Sequence, residues 1–302
     1  GAASGRLSSS RPNFQNIPAR HPILSKLVRR AFVVDEGKAR IYCDYSQIEL
    51  RMLAWITGNV TLLTAYQSEA YDRLCWGRTD YEAYRQERQS EASTDVHGLV
   101  AQRVFGADPA GPDWKRKRSA AKIIGFGVPY GGGPSLLMNN PELRLGERTA
   151  KSYYRAYHAA NPEIEKTKRR LLRKMRAGDL SFMNWAGRKR HGNRLEWEDE
   201  EARAEEERSV FACLVQGSAA ELTRYSIVRL WMLQKQGKMP AISTSTVHDE
   251  IQVDCEIGDV REVALAVQRE METFGGIFDA VPIVADLETT ITNWAEKEDW
   301  KP

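Results

Sequence analysis

The chain has 302 residues, with 44 Lys+Arg against 41 Asp+Glu and a formal charge of +3, so charge alone identifies no polyanionic partner. At 42% hydrophobic it can bury a substantial core, yet no run approaches the roughly 20 apolar residues that cross a bilayer, and the opening GAASGRLSSS lacks the apolar stretch of a signal peptide. Four scattered cysteines (Cys43, Cys75, Cys213, Cys255) form no Cys-x-x-Cys and have no zinc-spaced histidines, which argues against a disulfide framework or structural zinc and suits a reducing, cytoplasmic compartment.

Residues 1–22 show no sustained period and read as extended or looped chain. Alternation over Ala39–Asp44 predicts a strand with Asp44 at its end. Ile48, Leu50, Met52, Leu53 and Ile56 then switch to helical spacing, with Ser46 and Glu49 matching a capping box and a stop before Gly58-Asn59. Residues 66–94 are polar and aromatic and read as an insertion. A basic helix is expected from Asp113 to about Phe126, running into Gly131-Gly132-Gly133, and a second helical stretch over 147–177 should break at Asn161-Pro162, its second half strongly basic. The acidic run 196–207 reads as a solvated helix face or loop, and Val210–Leu233 as a well-buried helix. Ser243–Cys255 predicts a hairpin with His248-Asp249-Glu250 at its tip, followed by a helix (Val260–Phe274) and a terminal strand pair; the whole is an α+β pattern with an antiparallel sheet.

Three groups of residues could carry chemistry. Asp44 and Asp249-Glu250 each end a strand, and carboxylates brought together by a fold bind hard cations such as Mg²⁺; strand-end acids also cap ordinary turns. Arg118, Lys122, Phe126 and Tyr130 recur every four residues, so one helix face would offer cations to a triphosphate and a ring to a base; a solvated basic helix gives the same spacing. Arg6, Asn13, Gln15, Asn16 and Arg20, with Arg208 and Gln216, are side chains that contact phosphates and minor-groove acceptors, and equally the residues of a loop.

Together these segments resemble the polymerase domain of family A DNA polymerases, the bacterial polymerase I-like enzymes. Asp44-Tyr45-Ser46-Gln47-Ile48-Glu49-Leu50-Arg51 is similar to motif A, Arg118 through Tyr130-Gly131 to motif B, and Val247-His248-Asp249-Glu250 to motif C, in the family's order. The resemblance implies a right-hand fold with palm at 1–58 and 205–302 and fingers at 59–204. It implies a DNA-directed DNA polymerase that adds dNTPs to a primer 3′-hydroxyl with two Mg²⁺ ions. Asp44, Asp249 and the Tyr45 carbonyl would be the metal ligands, with Glu250 beside them. Gln47, His97, Arg118, Lys122, Phe126 and Tyr130 would form the nucleotide pocket, and Glu49 would be the steric gate against a ribose 2′-hydroxyl. Arg6, Asn13, Gln15, Asn16, Arg20, Arg208, Gln216 and His248 would hold primer-template DNA without reading its sequence. Phe rather than Tyr at 126 should disfavour dideoxynucleotides.

The sequence departs from the family at Pro129, which should end the helix before Tyr130, at Gly125, and at Ala212, where an Asn near the primer is usual. The 66–94 stretch suggests phage or other divergent origin. Little chain precedes the first motif, so thumb and exonuclease are expected from a missing N-terminal region or a separate chain. A single-subunit RNA polymerase and a non-catalytic DNA-binding subunit are the competing readings; Glu49 argues against the first and the intact Asp44, Asp249, Arg118 and Lys122 against the second.

Overall fold

The apolar run around Ile41 forms the central strand of a five-stranded antiparallel sheet, because Ala39, Ile41, Tyr42, Cys43 and Tyr45 are buried by neighbours on both sides. The computed structural model describes residues 4–11, 13–18, 21, 23–66, 96–141 and 143–300, so Arg20 and nearly all of the 66–94 insertion lie outside the described residues. In chain order the elements are α1 (Leu24–Arg29), β1 (Lys38–Tyr45), α2 (Ile48–Thr57), α3 (Val96–Phe105), α4 (Trp114–Gly127), α5 (Ser135–Met138), α6 (Glu147–Ala160), α7 (Pro162–Arg176), β2 (Ser181–Met183), β3 (Lys189–His191), α8 (Glu200–Lys235), β4 (Ala241–Val247), β5 (Glu250–Glu256), α9 (Val260–Glu272), β6 (Ala285–Thr290) and β7 (Glu298–Asp299). Among the described residues no helix is long and apolar enough to cross a membrane.

The chain divides into two compact units. The first comprises Gly1–Ile48, Gln216–Ile277 and Ile283–Pro302, and is built on the sheet in the order β4-β5-β1-β6-β7. Helix α9 packs on β1, β5 and β6, burying Val263, Ala264, Val267 and Met271. The Tyr45 hydroxyl meets Ser226 Oγ at 2.8 Å, which ties the second half of α8 to β1. Arg40 makes a bidentate pair with Asp254 on the neighbouring strand (2.6 and 2.8 Å), so this β1 cation is compensated in register. Phe14, Phe32 and Trp294 contact edge to face, and Tyr42 stacks on Trp294; these rings fasten the irregular N-terminal segment to the sheet.

The second unit comprises Glu49–Val215 and Phe278–Pro282. Here α3 packs on α4 and α6, and Asn161 breaks α6 from α7 as expected, with Pro162 opening the new helix. Asn59 Nδ2 donates to Asn161 Oδ1 (3.0 Å) and Glu163 Oε2 (2.9 Å), fixing that break. Arg51 is 0% exposed; its guanidinium donates to the Pro282 carbonyl (2.7 Å) and lies 4.4 Å from the Tyr66 ring centroid.

Several expectations need correction. Helix α2 starts at Ile48, two residues after Ser46, because Gln47 takes a left-handed φ of 51° in the turn. The acidic run is not wholly a solvated face: Glu206 is 3% exposed and is held by Arg190 and Arg194 (3.3 and 3.2 Å). The well-buried helix expected over 210–233 is part of the 36-residue α8, which leaves Tyr225, Val228, Trp231 and Met232 exposed. Helices α1 and α3 and the β2–β3 hairpin are additions, the hairpin turning at Gly187 with φ 82°.

Arg51→Ala should lower the stability of the chain by about 3 kcal/mol in denaturant unfolding, since it strips the Pro282 carbonyl of a charged donor inside a dry site and leaves a cavity under Tyr66.

Candidate functional site

Register builds the acidic site in the first unit. Asp44 lies directly opposite Glu250 on β5 and directly opposite Asp286 on β6. Directly opposed residues on antiparallel strands point to the same face, so three carboxylates form one row across three strands. Asp249 adds a fourth charge from the two-residue turn His248-Asp249, whose base is the Val247–Glu250 pair. His248 holds φ at 57°, a place normally glycine's, and the side-chain amide of Gln15 clamps the turn. Gln15 Oε1 accepts from the His248 N–H at 2.7 Å, and its Nε2 donates to the Thr246 carbonyl at 3.3 Å.

Withdrawal from water, then the charges of Asp249 and Glu250, push the Asp44 carboxyl up to about 8; Asp286 adds to the rise and Lys297 opposes it. Asp44 nevertheless keeps accessible surface, whereas Glu250 is buried and fully engaged. Glu250 Oε1 accepts from Gln252 Nε2 at 2.7 Å and Oε2 from Lys297 Nζ at 2.8 Å. Lys297 also pairs with Glu288 and sits 4.9 Å from the Tyr42 ring centroid. Burial works against the Lys297 charge, but the two glutamates outweigh it and hold the ammonium above its usual range.

These surroundings bear on a metal. Among the described residues no group of three or more His, Cys, Asp and Glu is arranged to hold one. Asp44 and Asp249 remain as a two-carboxylate set, the number Mg²⁺ uses when substrate phosphates and water complete its shell, and the crowding that raises Asp44 is the excess negative charge a cation would relieve. The donor set therefore fits a hard divalent cation. The Tyr45 side chain is buried and bonded to Ser226, so any part it takes falls to its backbone.

Arg6, another primer and template candidate of this unit, falls near the same turn. Arg6, His248 and Asp249 line a narrow cleft of about 20 Å³ with Leu7, Ile48, Ala219, Ala220 and Thr223. Asn13 caps the short 3-10 turn Phe14–Asn16, its Oδ1 accepting from the Gln15 N–H at 3.1 Å, and Asn16 is exposed. Gln47 and Gln216 are half-buried.

The second unit carries the nucleotide candidates. On α4, Ala120, Ala121, Ile124 and Gly125 face inward, while Lys122 is exposed, Arg118 is half-exposed and Phe126 is 37% exposed. The Phe126 ring is thus not core, and it leans on the His97 ring of α3 with centroids 5.5 Å apart. Helix α4 ends at Gly127 and Tyr130 sits on a following 3-10 turn, as Pro129 requires, so Tyr130 does not continue the row Arg118–Lys122–Phe126 as an unbroken helix face. Its hydroxyl donates to Glu49 Oε2 at 2.9 Å. Gly131 then takes φ 91°, and a Cβ there would lie 2.3 Å from Arg208 Cδ, so the arginine stem packs on bare backbone.

The sequence reading missed Lys297, Glu288, Gln252 and Asp286 as neighbours of the acidic site. Asp286 and Glu288 alternate on a strand that could be seen, but only the sheet register sets them beside Asp44 and Glu250.

Two measurements check the site. In the metal-free protein the Asp44 carboxyl is raised above its unfolded value, so the stability it lends is complete below about pH 4 and is lost as pH rises through about 8. Asp44→Asn should therefore be more stable than the parent at pH 9 in EDTA, with the gap closing toward pH 5 in thermal melts. At pH 8, Mg²⁺ should raise the Tm of the parent and leave Asp44→Asn/Asp249→Asn unmoved.

Comparison with known proteins accords with this geometry. The model of DNA polymerase family A matches residues 1–296. A thermostable DNA polymerase I of Thermus thermophilus is 34% identical over 301 residues, covering 99% of this chain and 31% of its own length. DNA polymerase I of Lactococcus lactis subsp. lactis is 31% identical, with 97% and 30% covered. The polymerase domain of Pol1 from M. smegmatis, solved in complex with DNA primer-template and dNTP, superposes with a TM-score of 0.78 at 26% identity over 97% of this chain and 46% of that one. The chain thus spans about a third of the length of these two DNA polymerases I and under half of the solved Pol1 chain. A family model running through almost every residue, on a sheet that gathers the acids of motifs A and C into one row, places this chain in DNA polymerase family A.

Proposed function

We propose that the chain carries out template-directed DNA synthesis, adding dNTPs to a primer 3′-hydroxyl, as the palm (1–58 and 205–302) and fingers (59–204) of a larger or split enzyme. The carboxylate row carries this reading: Asp44 flanked by Glu250 and Asp286, with Asp249 on the adjacent turn. Two Mg²⁺ ions on Asp44, Asp249 and the Tyr45 carbonyl would supply a lowered pKa for the primer hydroxyl and charge stabilisation for the leaving pyrophosphate.

The remaining work falls to side chains. Arg118 and Lys122 bind the triphosphate from one helix face, Arg by a fork and Lys as a point charge. Phe126, propped by His97, offers its exposed ring to the sugar and base, and Gln47 is a further nucleotide-binding residue by the family pattern. Glu49 is the sugar gate: the Tyr130 hydroxyl holds its carboxylate in place, so a ribose 2′-hydroxyl meets a fixed obstacle. Glu250 has both oxygens engaged by Gln252 and Lys297, which suits it to position the acidic row rather than ligate. Primer and template are held by Arg6, Asn13, Gln15, Asn16, Arg20, Arg208, Gln216 and His248; Gln15 acts through the turn it clamps.

Primer extension beside a gel-shift assay tests the reading. Asp249→Ala should abolish extension while DNA binding persists, and retained extension would overturn the metal assignment. Glu49→Ala should relax sugar selection, raising rNTP against dNTP incorporation by roughly 10- to 200-fold, the range one steric contact commands.

A further inference from the structure

Helix α7 carries seven Lys and Arg against two Glu in 15 residues, an excess of five that surpasses the +3 of the whole chain. Its apolar side is spent on the core, where Ile164, Thr167, Leu172 and Met175 are buried. The opposite side presents Lys166, Arg169, Arg170 and Arg173 at i, i+3, i+4 and i+7, all exposed, with Lys174 beside them. None of these five has a carboxylate partner among the described residues, whereas Arg176 at the helix end is neutralised by Glu207 at 2.6 Å. The four cations of the row line a surface groove of about 600 Å³ together with Pro162 and Glu163. Glu163 accepts from Asn59 Nδ2 at 2.9 Å, at the N-terminal end of the row. A second groove of about 680 Å³, shared at Arg170, continues past Lys174.

From this geometry we propose that the exposed face of α7 is a second DNA-binding surface, one that grips the phosphate backbone without reading sequence. The nature of the polyanion rests on the polymerase reading above; the surface itself rests on the charge. Seven residues of helix rise about 10 Å, which spans roughly three phosphates of one strand at 3.4 Å of axis each. The row offers neither an aromatic platform for unstacked bases nor a large apolar anchor of the kind that dominates protein interfaces, so backbone contact is the chemistry it supports. Uncompensated like charges at helical spacing repel one another, and a phosphate backbone relieves that repulsion.

The test is binding of the full chain to a fluorescent primer-template duplex by anisotropy across a salt series. With Lys166, Arg169, Arg170 and Arg173 all changed to Gln, affinity at about 0.1 M salt should fall by roughly 10- to 100-fold, and the slope of log K against log salt should shrink by about 2 to 4. A control carrying Arg144, Arg148, Lys151 and Arg155 changed to Gln makes the same change in net charge on other exposed positions and should keep most of the slope. R169K/R170K/R173K, which keeps the charge, should also keep it. An unchanged slope in the Gln variant, an equal loss in the control, or a parent chain that does not bind DNA overturns the proposal. Since binding is read rather than extension, a chain that binds through α7 yet extends no primer would overturn the catalytic reading alone, and one that extends primers with its slope unchanged would overturn the α7 surface alone.

Discussion

The position of Asp44 within the sheet is the constraint from which the chemistry follows. A central strand fixes its residues against partners on both sides, and here those partners are Glu250 and Asp286. A row of carboxylates on one face is unfavourable in a folded protein, and the sheet tolerates it because cations and amides are built in around it. Lys297 and Gln252 occupy the Glu250 oxygens, and Glu288 shares the lysine. Withdrawal from water and the charges of Asp249 and Glu250 drive the Asp44 carboxyl upward. A site of this kind is poised for a divalent cation: the fold supplies the frame, and the crowded charge supplies the preference.

The second unit solves a different problem, that of keeping a polar and aromatic face open. Small buried residues on one side of α4 allow close packing, which leaves Lys122 and Phe126 outward without loss of the helix. Pro129 and Gly131 end the helix abruptly, and the 3-10 turn between them places the Tyr130 hydroxyl on Glu49. A residue within motif A and one that closes motif B are therefore joined by a direct hydrogen bond. A departure from the family's pattern at Pro129 is accommodated by tighter winding rather than by loss of the tyrosine.

Charge is distributed as unevenly as function. The net charge hides a strongly cationic α7 and an acidic stretch that runs into the first turns of α8, part of which folds inward as Glu206 between Arg190 and Arg194. Whether an acid or base is neutralised depends on partners brought from another element, so two runs of opposite sign meet different fates: the acidic one is partly paired, and the basic one keeps an exposed face with no carboxylate partner among the described residues.

The sequence by itself determined the periods and breaks: the strand ending near Asp44, the basic helix stopping at the glycines, the interruption at Asn161-Pro162, the hairpin around His248-Asp249 and the α+β order. These are local, since alternation, helical spacing, proline and glycine act within a few residues. It also carried the three motifs, and with them the family. Only the tertiary structure decided which acids face Asp44, that Glu250 is bound by Lys297 from 47 positions away, that Gln15 holds the hairpin turn across 233 residues, and that Glu49 meets Tyr130. Such pairings depend on strand register and on helices packing from distant segments, and no periodicity within a segment encodes who its neighbour will be.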